Sequence, residues 1–360
     1  MKHSILFLIS VTLSLSCFAQ EDPPKPSPFT ISGYVETYYI YDFNKPANNT
    51  RPGFIYAFNR HNEVNLNIGM IKGSYNTDHV RANLALMAGT YPNANLASEP
   101  GVLKNIYEGN VGVKLSSKKN LWVDAGIFTS HIGFESAISK DCWNLTRSIL
   151  ADNSPYYEAG AKVSYTSDNE KWFLSALILN GWQRMQRVEG NSLPSFGTQI
   201  TFKPSSSVTL NSSTFIGTDK PDSARQMRYF HNFYGIFQIN EKLGITAGFD
   251  YGIEEKNPES GSFNTWYSPV LIVRYAISAK VTAAARGEYY SDKHGVIIAT
   301  GTPNGFRTTG YSFNIDYQVA TNVVWRTEIR SLNGKDATFV RDNRPVKNDT
   351  FVGTSLAVSF

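Results

Sequence analysis

Apolar and polar residues alternate one by one along much of the chain, as in Val64-Asn65-Leu66-Asn67-Ile68. That period belongs to a strand with one face in oil and the other in water. A first strand is predicted over 29–43. It puts Ile31, Val35, Tyr39 and Tyr41 on one face and Ser32, Tyr34, Glu36 and Asp42 on the other. A second, over 58–72, turns Val64, Leu66, Ile68 and Met70 outward and His61, Glu63, Asn65 and Asn67 inward. A third turns Val80, Ala82, Leu84 and Leu86 outward and Arg81 and Asn83 inward.

The connections between such segments alternate in length. Short ones fall at 73–78, 116–120, 166–170, 204–207, 240–242, 278–280 and 320–322. Long ones fall between them, the longest at 131–155. Half-apolar strands joined alternately by tight turns and long loops predict an all-β fold: a transmembrane, antiparallel, up-and-down β-barrel. The runs number about sixteen; fourteen or eighteen also fit, because 173–179 is apolar on both faces. Each run reaches the ~9–11 residues that a tilted strand needs to cross a bilayer. No repeat of solenoid type interrupts the rhythm.

The two ends sharpen this reading. Lys2, the apolar run from Ile5 to Leu15 and the small residues Cys17-Phe18-Ala19 predict a signal peptide over 1–19, cleaved before Gln20. Lipidation of Cys17 would want an aliphatic residue where Ser14 stands. Residues 20–28 form a proline-rich periplasmic leader, and 29–360 the barrel. Beyond the signal, no stretch approaches the ~18 apolar residues of a membrane helix. The load of 20 Tyr and 22 Phe suits aromatic girdles at two membrane interfaces. In the closing segment Leu356, Val358 and Phe360 share one face. With Gly353 they form a candidate signal for the barrel-assembly machinery.

Certain residues carry a family likeness. Asp124-Ala125-Gly126-Ile127-Phe128 leads into Ile132-Gly133-Phe134-Glu135. Arg147-Ser148 and Asn180-Gly181-Trp182 follow. Together they resemble the OmpL-like β-barrel porins of Gram-negative outer membranes. The distinctive motifs lie within 124–182, while the organisation is similar over most of the mature chain. The resemblance implies a diffusion barrel of monomer size. It carries over no ligand residues and leaves the solute open.

In a porin, fixed charges on inward faces set ion preference. The alternation assigns Glu63, Arg81, Glu108, Lys114, Glu158 and Lys162 to the lumen early in the chain. Arg274, Arg286, Glu288, Asp316, Arg326, Glu328 and Arg330 follow late. Arg286 with Glu288, and Arg326 with Glu328, are spaced for pairing on one face. The late arginines point to a mild anion preference. The loop 131–155 is the constriction candidate, through Phe134, Glu135, Lys140, Asp141, Trp143, Arg147 and Asp152. Its apolar residues, Ile138 and Leu145 among them, need a surface to bury against. Folding inward onto the barrel wall would supply one, and packing as an external lid would supply another.

Charge narrows the partners. The net +4, or +3 once Lys2 leaves, is too small to imply nucleic acid. The expected partners are outer-membrane lipid, the assembly machinery and small hydrophilic solutes; a homo-oligomer is compatible. After the signal only Cys142 remains, as a packing residue, so no disulfide framework is expected. His61, His79, His131, His231 and His294 are scattered, and no metal or cofactor is expected. Ser130, His131 and Asn144 could be read as a nucleophile set. No nucleophile elbow accompanies them, so no catalytic residue is assigned. The predicted function is passive diffusion through a water-filled lumen. A substrate-specific channel or receptor is the alternative. A barrel hydrolase and a secreted soluble all-β protein stand behind it.

Overall fold

The computed structural model describes residues 27–360, so the predicted signal and most of the leader lie outside the described residues. The strands are β1 (Phe29–Asp42), β2 (Val64–Asn76), β3 (Val80–Ala88), β4 (Ile106–Lys114), β5 (Asn120–Thr129) and β6 (Tyr157–Thr166). Next come β7 (Trp172–Leu179), β8 (Ser195–Ser205), β9 (Val208–Gly217), β10 (Arg228–Gln238), β11 (Leu243–Glu255) and β12 (Phe263–Ala276). The chain ends with β13 (Val281–Asp292), β14 (Phe306–Ala320), β15 (Val323–Gly334), a small hairpin of β16 (Phe339–Arg341) and β17 (Arg344–Val346), and β18 (Asn348–Ser359). Sixteen of these pair antiparallel in chain order, and β1 closes on β18. The hairpin β16–β17 stands apart, within the last long loop. Closure pairs each of the sixteen barrel strands on both sides and leaves the barrel no open edge.

The tight turns form because polar side chains cap their own backbone. The Asn240 side chain accepts from the N–H groups of Lys242 and Leu243, both at 2.9 Å, and Ser278 Oγ accepts from Val281 N at 3.1 Å. Outside, the wall is apolar: Leu84, Val111, Ile178, Leu271 and Ile329 are each about half exposed. Exposed Tyr229, Tyr251, Tyr267 and Tyr311 mark a belt toward the long loops. Tyr75, Trp172, Tyr275, Tyr317 and Trp325 mark one toward the turns.

The second strand departs from the expected phase. The β1–β2 register shifts at Glu36/Thr37, so Asn67 and Ile68 both point inward and are fully buried. One inserted residue reverses the alternation that follows it. Ile68 and Met70, expected on the lipid face, therefore pack inside, while Ile71 faces out. Lys72 comes inside by the same slip. Glu63 precedes β2 altogether. It sits half exposed at the rim, paired with Arg60 at 2.8 Å.

The segment 173–179 also finds its explanation. Leu177 and Leu179 face inward, beneath Trp182, which meets Phe215 and Phe230 edge-on at 5.0 and 4.8 Å. The barrel interior thus carries packed apolar clusters as well as polar groups.

At the seam, Phe360 exchanges backbone hydrogen bonds with Gly33, and its ring lies where a Cβ on Gly33 would be. Leu356 and Phe360 face outward; Gly353 points inward, against Ile40 and Leu145.

Candidate functional site

The loop between β5 and β6 folds into the barrel. Ser130 N donates to Tyr156 O at 3.0 Å and brings the two ends of the loop together. His131 lies between the Glu158 carboxylate (Nδ1···Oε2 2.9 Å) and the Thr214 carbonyl (Nε2···O 2.8 Å). The two contacts fix the ring at both of its nitrogens. A first short helix, α1 (Thr90–Asn95), lies in the loop after β3; in the loop between β5 and β6, a 3-10 turn (Ser139–Asp141) and the one-turn helix α2 (Ile149–Asp152) shape the crest. Ser148 caps α2 by accepting from Ala151 N.

The crest meets the wall built by β13, β14 and β15. Arg286 donates to Thr146 O at 2.6 Å, and Arg330 donates to Arg147 O at 2.9 Å. Arg326 donates to Ser139 O and, at 2.9 Å, to Cys142 O. Carboxylates take the loop's N–H groups: Glu328 accepts from Thr146 N at 2.6 Å and Glu288 from Ile149 N at 2.7 Å. Asn314 accepts from Leu145 N at 3.0 Å. The charges also pair with each other. Arg330 and Glu288 are 2.6 Å apart, Arg326 and Asp316 2.8 Å, and Arg286 and Glu328 3.1 Å. From the other side, Glu36 accepts from Ser139 Oγ, Ser355 Oγ and Asn67 Nδ2. Charge-assisted bonds of this kind are the strong ones, and burial keeps water from competing.

A second set of contacts is steric. Phe134 lies against Gly248, Trp143 against Gly244 and His131 against Gly197. A Cβ at Gly248 would stand 2.6 Å from Phe134 Cε1, and one at Gly244 would stand 2.8 Å from the Trp143 ring. Glycine is required here for close approach of the loop to the sheet.

Most of the predicted lumen residues therefore sit on the inward face, but they are engaged. Arg81 grips Asp124 with two bonds, of 2.6 and 2.5 Å, and Glu108 meets Lys72 at 2.5 Å. Lys162 lies over the Phe128 ring, and Lys114 is half-buried toward the turn end of β4. The late arginines do not offer free charge: Arg286, Arg326 and Arg330 are matched by Glu288, Asp316 and Glu328. The expected excess of free positive charge reduces to Arg274. Within the loop, Glu135, Arg147 and Asp152 are buried. Arg147 donates to Ser136, Ala137 and Leu145 carbonyls, tying the loop to itself, and Glu135 accepts from Ser148 N. Only Lys140 and Asp141 stay exposed, with Trp143 and Phe134 part-buried.

Alternation could have found Asp124 and Glu36; Lys72 was hidden by the bulge. Arg51, with Asp42 at 3.6 Å and Asp349 at 4.0 Å, is a buried charge cluster that no local pattern marks. In the exposed outer loops, hydrogen bonds from Arg225 and Ser192 bring Asp222 down to about 2, and Arg60 holds Glu63 below the usual carboxylate range. Ser130, His131 and Asn144 do not assemble as a nucleophile set, since Asn144 donates to Ser312 on the far wall. Cys142 is buried and unpaired. Among the described residues, no cluster of potential metal ligands occurs.

Cavities lie on both sides of the loop. One of about 890 Å³ opens among the long loops and is lined by Asp42, Asn48, Tyr56, Asn153, Phe339 and Asp349, among others. Another, of about 370 Å³, opens at the short-turn end. They share no lining residue.

Known proteins agree with this architecture. An anion-selective porin from Comamonas acidovorans superposes with a TM-score of 0.61 at 10% identity, over 92% of this chain and 99% of its own. OmpT, an outer membrane protein of Vibrio cholerae solved in a trimer form, gives 0.59 at 11%, over 92% and 99%. A triple mutant of the Rhodopseudomonas blastica porin gives 0.51 at 13%, over 92% and 100%. At such identities the likeness is one of fold. No curated protein matches the sequence. The sequence does match, over residues 28–360, the family described as "Putative beta-barrel porin-2, OmpL-like". The chain belongs to that family, and it is an outer-membrane porin.

Proposed function

We propose that this porin passes small hydrophilic solutes or ions by diffusion, and that the loop between β5 and β6 sets what passes. One observation carries the reading: the loop crosses the lumen and is fastened to β13–β15 through backbone groups on both sides of Thr146. A constriction held this way is rigid, so size exclusion follows from it. With the arginines of that wall paired, ion preference falls to the charges left at the two mouths.

The same reading takes 1–19 as a cleaved signal peptide, 20–28 as a periplasmic leader, and the short-turn end as periplasmic. The outward face of Leu356, Val358 and Phe360 is what the assembly machinery would bind. The chain carries no catalytic role in this proposal. Assembly into a trimer, as in the trimer form of Vibrio cholerae OmpT, is compatible with the apolar outer wall. A second reading, a solute-selective channel, is favoured by the 890 Å³ outer vestibule, whose amide, hydroxyl and aromatic side chains suit recognition.

Single-channel recording of the purified mature protein in a planar bilayer tests both. Small, stable open steps are expected. A protein that inserts without conducting would overturn the diffusion reading. Saturable block by one neutral solute would select the second reading.

A further inference from the structure

The two mouths of the barrel differ in charge. The outer vestibule is lined by no lysine or arginine, and its two carboxylates, Asp42 and Asp349, are matched from behind by the buried Arg51. The cavity at the short-turn end is lined by Lys140, Arg274, Lys280 and Arg326 against Asp141 and Asp316, four cations facing two carboxylates. The carboxylates offer little compensation. Asp316 is held by Arg326 through both oxygens, at 2.8 and 3.0 Å, and accepts from Asn314 as well. Asp141 reaches Lys140 only at 4.0 Å and is itself largely exposed.

Arg274 and Lys280 are the uncommitted charges. Among the described residues, neither charged group has a hydrogen-bond or ion-pair partner. Arg274 lies 5.9 Å over the Trp143 ring, which positions the guanidinium without neutralising it. Lys280 comes from the turn after β12, and Lys140 from the loop crest. Three elements thus aim cations into one pocket. Its floor is the Arg326–Asp316 pair and the loop fastened beneath it.

We infer that this cavity is an anion site at the short-turn mouth, taking a small divalent oxyanion such as hydrogen phosphate between Arg274, Lys280 and Lys140. A monovalent ion of the same size would gain less from three converging cations, and a neutral solute nothing from them. The volume of about 370 Å³ suits an ion of this size with part of its water. As an ion-binding site it deepens the porin reading and rests on it only for transport; the binding itself needs no open lumen.

Two measurements on the full mature protein separate these questions. The first is calorimetric titration of the detergent-purified protein with inorganic phosphate in a buffer without competing anions. The Arg274→Gln/Lys280→Gln variant is measured in parallel. Binding weakened about tenfold or more in the variant is expected. Both residues lie at the exposed rim, and resistance to unfolding on heating in detergent checks that the variant is intact. The second adds phosphate to one chamber at a time in bilayer recordings. Reduced current from one side only is expected, lost in the variant. Absence of phosphate binding by the parent protein, or equal binding by parent and variant, overturns the site whether or not the channel conducts. Binding without conductance overturns diffusion and leaves the site standing.

Discussion

The wall of β13, β14 and β15 and the wall from β8 to β11 hold the same loop by opposite means. The first supplies Arg286, Arg326, Arg330, Glu288 and Glu328, and fastens the crest through its backbone. The second supplies Gly197, Gly244 and Gly248, and seats His131, Trp143 and Phe134 by leaving room for them. One wall attracts and the other yields. Charge alone would draw the loop over without defining its depth. Vacant Cβ positions alone would define the depth without any reason to stay.

Breaking the charged side should have the largest effect. Arg286→Met leaves Glu135, Glu288 and Glu328 buried around a missing cation. The cost of breaking such a cluster is about 3–5 kcal/mol. The sheet does not depend on it, so the loss should appear as a loosened loop. Amide protons of 139–149 should exchange faster, and conductance should rise and become noisy, while the barrel resists heating as before. Unchanged exchange would mean that the network is incidental. Next comes the yielding side. Gly248→Val drives a side chain into Phe134, with a cost of roughly 1–3 kcal/mol from overpacking. Here conductance should change while the ion network stays intact. An equal effect on exchange at Thr146 would erase the distinction between the walls. Smaller again is Ser148→Ala, which removes the cap of α2 and costs about 1 kcal/mol. It should be read in exchange at Ala151. Smallest is Glu63→Gln. A residue at the rim, paired with Arg60, should leave the reversal potential where it was; a clear shift would return it to the conduction path.

The fold was legible because a barrel in lipid must repeat its rule on every strand. Alternation, tight turns and long loops gave about sixteen crossings, with fourteen or eighteen left open, and sixteen close the barrel. In β2 two things differed from the reading: one bulged residue reversed the phase, and the strand begins at Val64 rather than at 58, which leaves Glu63 outside it. The bulge at Asn67 has no signature in local polarity, because Asn67 serves Glu36 and the Phe58 N–H at once and is polar for reasons of tertiary contact. Of the site, the sequence showed which residues point inward and that 131–155 needs something to bury against. It could not show what they touch. Arg326 reaches Cys142 across 184 positions, and Thr146 meets Glu328 across 182, distances at which periodicity carries no information. The alternation also marks a face as inward without saying whether water or another side chain awaits it. That is why Leu177 and Leu179 read as an ambiguity and the late arginines as a free field.

Glu36 bears on time as well as place. It lies on the first strand, and its carboxylate receives Asn67 from the second, Ser355 from the last and Ser139 from the loop. Contacts separated by 319 positions carry the greatest chain entropy and belong late in folding. The ladder between β1 and β18 joins the two ends of the chain and also completes the cradle for Ser139. A loop seated only after that ladder closes would have to enter by the mouth among the long loops, against a wall already complete. Seating of the loop and joining of first strand to last are thus linked through one carboxylate. Glu36→Gln should therefore slow maturation, visible in pulse-chase as full-length chains that stay open to added protease for longer than the parent.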